Sequence, residues 1–448
     1  MSFDIRDYGA RPENPVNTSQ IQQALDAAGQ AGGGRVVVPA GVFKTGTIEL
    51  RSGVELYVSA GATLLGTNNP ADYPPYFLAE NVKSRRPFQR RMILASGCRD
   101  VAVTGPGVID GDGGCIERTD EISGGNEGRP LNLHFVDCRG VMVKDVKLRR
   151  AGSWMQQYLA CSEVLISGIT VWNHDNHTND GLDIDGCADV RVVDCDIDSR
   201  DDALVFKSTG PAACRNIIVS NCRLRSNCHG IKFGTESVGG FENIRISNCI
   251  ISPARQAIPM EGYPEGRPVI TGCALECVDG GTMRGISIDG LIVEKVFAPI
   301  LVKLGERLDR RLDETDPPEA GRVEDIRICN VIARQAGPIS CSVTGYPGRP
   351  VRRVALSDIS IEHCGGIEAG AIIDDVPENS TGYPEINMFG NKKGKHLPSW
   401  GFFFRHVDGL RLSNLHLRTL RPEARQAIVT DDVTGLVEHD IRIENPAG

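Results

Sequence analysis

The sequence predicts an all-β chain wound as a parallel β-helix of about ten or more coils. Three observations carry this expectation. A unit of the form C-x-x-[VI]-x-[VIL]-x-x-[CV]-x-[IL] recurs at CRDVAVTG (98), CRGVMVKDVKL (138), CSEVLISGITV (161), CADVRVVDCDI (187) and CRNIIVSNCRL (214). It returns without its first cysteine at FENIRISNCII (241), MRGISIDGLIV (283), VEDIRICNVIA (323), VRRVALSDISI (351) and VDGLRLSNLHL (407). Its first apolar positions, Val141, Val164, Val190, Ile217 and Ile244, lie 23, 26, 27 and 27 residues apart, too short a period for a four-stranded propeller blade. Composition agrees, because 51 glycines and only 5% aromatic residues suit short strands joined by turns better than packed helices.

Taken in order, FDIRDYG at residues 3–9 reads as an entry strand. Asn17-Thr18-Ser19 then offer an N-cap to QIQQALDAAGQAGGG, whose glycines stop the one convincing helix. Residues 1–34 therefore form a strand and a capping helix, and 35–448 form the coils of the same single domain. Excursions at 66–92, 111–132, 259–282, 304–322 and 373–401 are expected as loops leaving the coil turns.

Fifteen cysteines fall into columns rather than into C-x-x-C pairs, which reads as small buried hydrophobes and reduced thiols. No metal and no cofactor are expected. A net charge of -9 without a basic stripe argues against a nucleic-acid partner. No apolar run approaches membrane-spanning length, and MSFDIRDYGA lacks a signal pattern, so no membrane partner and a cytoplasmic location are expected for the chain as it stands.

The polar clusters of residues 173–234 sit at the ends of apolar runs. Asp202, His229 and Gln256 are successive members of a 27-residue series, as are Asp201, Cys228 and Arg255. Equivalent residues on adjacent coils stand about 5 Å apart. Asp180 occupies the corresponding bend one coil earlier, so three carboxylates and a histidine would converge. Alternation then places Lys207 and Lys232 on the same face, available to a substrate carboxylate. Glycoside hydrolysis needs such a set: one protonated acid for the leaving oxygen and one ionised group acting on water or the anomeric carbon. Crowding of acids raises the pKa of one of them.

These residues resemble glycoside hydrolase family 28, the pectin-degrading polygalacturonases with a right-handed parallel β-helix. The resemblance runs through FDIRDYGA, GGGRVVVPAGVFKTGTIEL, VELYVSAGATLLG, RPLNLHFVDCRGV, AGSW and the 173–234 stretch. The family signature is N-T-D-G, D-D, H-G and R-x-K. The resemblance implies inverting hydrolysis, with Asp201 as general acid, Asp180 and Asp202 positioning and activating water, and His229 tuning the acid's proton. It implies an acidic oligosaccharide or polysaccharide as partner, with exo-action on short pectin-derived chains. Thr178-Asn179 replaces Asn-Thr, and Asn179 is expected to bind substrate. R-x-K is missing, its place aligning with Ala257-Ile258-Pro259-Met260-Glu261. Lys207, Lys232, Arg255, Gln256 and Glu261 are the substitute substrate contacts.

Bland readings stand beside these. Asp183 and Asp185 suit a turn and site support, since the full calcium-loop pattern is lacking. His174 and His177 are expected at the surface, and Trp154 either under the site or stacked on a sugar, as with Tyr263, Tyr383 and Trp400. A rhamnogalacturonan-type linkage is the nearest variant. A uronate lyase or epimerase, and a non-catalytic glycan-binding β-helix, are the readings from other classes.

Overall fold

The computed structural model describes residues 1–84, 90–115, 128–260, 266, 268–308, 321–378 and 395–446. Its fold class is the expected right-handed parallel β-helix. The chain divides into two compact units, Met1–Val205 with Cys214–Arg223, and Phe206–Ala213 with Leu224–Gly448.

In the first unit the repeat stacks in parallel register. Val101 pairs with Val141, Val141 with Val164, Val164 with Val190, and Val190 with Ile217. All five side chains are buried, while the outward neighbours Met142 and Ile218 are exposed. This is the period-2 alternation of a strand with one face in the core. In the second unit Ile244, Ile286, Ile326, Val354 and Leu410 form the equivalent column.

Two bends recur in each coil, and they explain the repeat's polar letters. The residue before the first apolar position is left-handed at Asp100, Glu163, Asp189 and Asn216 in the first unit and at Asn243, Asp325 and Arg353 in the second. A second left-handed column runs through Asp145, Asp194 and Asn221, then Asn248, Asn330, Asp358 and Asn414. Asn and Asp tolerate this conformation because their short side chains can hydrogen-bond locally. They also bond along the stack: Asn216 Nδ2 donates to Asp189 Oδ1 at 3.0 Å, and Asn221 Nδ2 to Asp194 Oδ1 at 3.2 Å. Gly140 takes the bend, with φ of 74°, where a Cβ would lie 2.6 Å from Asp100 Oδ1.

The cysteine columns are buried and unbridged. Most of these thiols donate to a carbonyl two residues back, as Cys138 Sγ does to Val136 O at 3.3 Å and Cys195 Sγ to Val193 O at 3.3 Å, whereas Cys214 Sγ donates to Ile184 O. Burial pushes the Cys273 and Cys277 thiols up to about 12, so they stay protonated and unreactive at neutral pH.

The helix Thr18–Gln30 buries Ile21, Ala24, Leu25 and Ala28. Asn17 stands at its N-cap without a capping bond, because its Oδ1 accepts from Arg11 N and Asn14 Nδ2, both at 2.9 Å. The excursion expected at 259–282 is shorter than the sequence suggests, since Val269–Cys277 is a strand. The run VITGCALEC is apolar enough for a buried strand, but it lacks the repeat's first cysteine-to-valine spacing.

The left-handed bends give a direct stability test. Asn216→Val should destabilise the protein by roughly 1–3 kcal/mol, whereas Asn216→Gly should cost under about 1 kcal/mol. Urea midpoints of the two variants against the wild type check this.

Candidate active site

The acids lie in the first unit. Asp180 follows the strand Thr170–Asn173, and Asp201 and Asp202 follow the strand Asp196–Ser199. Their turns are tied together through the main chain. Gly181 N donates to Asp202 O at 2.8 Å, and Asp201 N to Asn179 O at 3.3 Å. Ser199 Oγ lies 2.9 Å from Asp201 O and 3.0 Å from Asp202 O. Asn173 Nδ2 and Met155 N hold Asp180 O at 2.8 and 2.9 Å. Glycine is required after Asp180, since a Cβ at Gly181 would lie 2.3 Å from Ile197 Cγ2 and 2.6 Å from Ala203 O.

The result is the expected convergence: one carboxylate oxygen each from Asp180, Asp201 and Asp202 lie within 4.8 Å of one another. Asp180 and Asp202 are buried and Asp201 is half-buried. Three oxygens so placed can share a proton, orient a water or hold a hard cation.

Several neighbours differ from expectation. Asn179 is fully buried and both its amide hydrogens are spent, on Ala151 O at 3.0 Å and Asn173 Oδ1 at 2.8 Å, so it braces the turn. His174 is buried rather than at the surface. Its Nε2 lies 2.8 Å from Asp198 Oδ1, with both side chains 1% exposed, and the Trp172 ring lies tilted against it, centroids 4.5 Å apart. That pair links the Asp180 loop to the strand leading into Asp201. Arg129 was not singled out by the sequence; it is buried and clamps the same loop, at 2.8 Å to His177 O and 3.0 Å to Thr178 Oγ1. Trp154 packs on Leu131 under the loop. Asp183 and Asp185 are buried, and Asp185 Oδ2 accepts from Gln157 at 3.0 Å.

The second unit carries the other candidates. His229 opens the strand His229–Ser237, with Nδ1 2.6 Å from Thr271 Oγ1 and Nε2 3.5 Å from Lys232 Nζ. An ammonium only donates, so this geometry fits a neutral imidazole carrying its hydrogen on Nδ1. Lys232 is buried against Glu276 at 3.1 Å, and Lys207 against Glu236 at 3.2 Å. The sequence placed both lysines as open cations; the structure gives each a carboxylate, because an unpaired buried ammonium is costly. Arg255 and Gln256 are exposed, and Glu261 lies outside the described residues, as do Tyr263 and Tyr383.

The R-x-K comparison also changes. Residues 257–260 follow the strand Gly240–Pro253 and precede Val269–Cys277. The strand that stacks on the His229 strand is Val269–Cys277, pairing His229 with Thr271 and Lys232 with Ala274. Cys273 and Leu275 point inward with Ile231 and Phe233, leaving Ala274 and Glu276 on the opposite face. Neither is a cation. Further along, Arg307 grips buried Asp279 in two bonds of 3.0 and 2.5 Å, a pair that no sequence spacing announced.

Lys232→Met would leave the Glu276 carboxylate buried without that partner and should cost roughly 3–5 kcal/mol. The double variant Lys232→Met/Glu276→Leu should recover most of the loss, as read from chemical denaturation.

The sequence profile of Glycosyl hydrolases family 28 matches residues 29–381. An exo-poly-alpha-D-galacturonosidase of Dickeya chrysanthemi is 40% identical over 25% of this chain and 19% of its own length. A probable polygalacturonase of Vitis vinifera is 28% identical over 46% of this chain and 44% of its own length. The matched stretches thus span less than half of these two relatives. The exopolygalacturonase structure from Thermotoga maritima shares the fold with a TM-score of 0.67 and 20% identity, over 93% of this chain and 91% of that one.

Proposed function

Because the chain belongs to family 28 of the glycosyl hydrolases, we propose that it hydrolyses galacturonide-type bonds in pectin-derived oligosaccharides, with inversion and from a chain end. Family membership makes it a glycoside hydrolase. The observation that carries the finer reading is the acid trio, with one oxygen of each carboxylate within 4.8 Å of the others. Half-buried Asp201 is the acid that protonates the leaving oxygen. Asp180 and Asp202, more deeply set, hold and activate the water. His229 follows Asp202 by 27 residues in the sequence register, and we assign it to the acid's proton balance. The galacturonide substrate is supported by the relatives in Dickeya chrysanthemi and Vitis vinifera, and exo-action by the Dickeya chrysanthemi exo-poly-alpha-D-galacturonosidase.

The closest oxygens stand nearer than the roughly 6.5–9.5 Å usual between the carboxyl groups of inverting enzymes. Inversion therefore rests on what the family implies rather than on spacing. Proton NMR of the first anomer released from a galacturonide oligosaccharide decides it: the inverted anomer is expected, and retention sinks the assignment. Asp201→Asn and Asp202→Asn should each lower kcat by about 10²–10⁴-fold while leaving the thermal midpoint nearly unchanged. Activity that survives Asp201→Asn, with an unsaturated product absorbing in the ultraviolet, would instead indicate a lyase.

A further inference from the structure

A substrate carboxylate bound beside three acids needs a cation, and the obvious candidates are spent. Lys207 and Lys232 are buried on Glu236 and Glu276, and Arg307 is gripped by Asp279. Ala274 and Glu276 occupy the outward face of the strand after His229's. Within the first unit, Arg150 pairs with Asp110 and Asp112, and Arg129 is committed to the 177–178 main chain and hydroxyl.

Arg200 is different. It immediately precedes Asp201 and Asp202, and its main-chain N is fixed to Asn173 O at 2.8 Å. Asn173 in turn holds Asp180 O, so the Arg200 backbone is tied to both acid-bearing turns. Its side chain is half-buried, and among the described residues its guanidinium makes no hydrogen bond and no ion pair. Asp201 and Asp202 follow it in the same turn and Asp180 lies in the turn tied to that one, yet among the described residues its guanidinium pairs with none of them. A guanidinium partly removed from water and lacking a counter-ion forms a strong two-pronged bond when a carboxylate arrives.

We infer that Arg200 is the residue that binds the uronate carboxylate of the sugar at the cleavage point, taking over the role of the missing cation pair. This rests on the galacturonide reading above and deepens it. Arg200 touches substrate without taking part in proton transfer, so its loss should appear in KM and in the choice between acid and ester rather than in the pH profile.

The test compares trigalacturonate with its methyl ester, using wild type, Arg200→Gln and Arg200→Lys, each checked for an unchanged thermal midpoint. Wild type should prefer the free acid. Arg200→Gln should raise KM for the acid by roughly 10- to 100-fold, the worth of a charge-assisted hydrogen bond, with kcat little changed and the acid-over-ester preference lost. Arg200→Lys should restore part of the preference. If wild type cleaves and prefers the acid while Arg200→Gln keeps that preference, this inference is overturned and the galacturonide reading stands. A shift in the pH profile of Arg200→Gln with the preference intact overturns it equally. If wild type cleaves neither compound, the galacturonide reading falls and this inference with it.

Discussion

Each coil has to turn its corners where the previous coil turned its own, and that constraint shapes the rest of the molecule. Parallel strands pair only while equivalent residues stay level, about 4.8 Å apart along the stack. Both left-handed columns satisfy this with residues that bear the conformation cheaply, from Asp189 and Asn216 to Asn330 and Asn414. The bends in turn decide which side chains enter the core and which leave it. Asp180, Asp201 and Asp202 approach one another because the turns that carry them are tied by Gly181 N and Asp201 N, not because the acids attract. Carboxylates within 4.8 Å repel, and the work of holding them is done by the stacked backbone.

The same rigidity governs the cations. A strand face that is closed to water cannot carry a lysine alone, so Lys207 and Lys232 each face an acid. On that face the charge of Glu276 closes on Lys232. Buried pairing of this sort adds little net stability but fixes geometry, because removing either partner strands the other. In the acid-bearing turn Arg200 is a cation whose guanidinium has no protein partner among the described residues, which is what the proposed recognition of a substrate carboxylate rests on.

How far the sequence could be read follows from loop length. From Val141 to Ile217 the level neighbours lie 23, 26 and 27 residues apart, so counting from Val190 reaches Ile217 without error. In the second half 42, 40, 28 and 56 residues separate Ile244, Ile286, Ile326, Val354 and Leu410, although these are level neighbours. A fixed period cannot cross such insertions. That is why 257–261 looked like the coil after His229 when Val269–Cys277 is. His174 and Asp198, 24 residues apart, came close to the period and could have been found as a pair; Arg129 and Asp279 carried no periodic mark.

The amino-acid sequence by itself determined the coil, its bends, its cysteine columns and the identity of the three acids, because these depend on local preference and on a constant spacing. Only the tertiary structure decided which polar side chains are open to a ligand. Burial and pairing arise between residues on different coils, as with Lys232 and Glu276 or His174 and Asp198, and they depend on loop lengths that no local pattern encodes. Lysines that alternate onto an outward face in the sequence are enclosed in the fold, where low dielectric makes a counter-ion necessary.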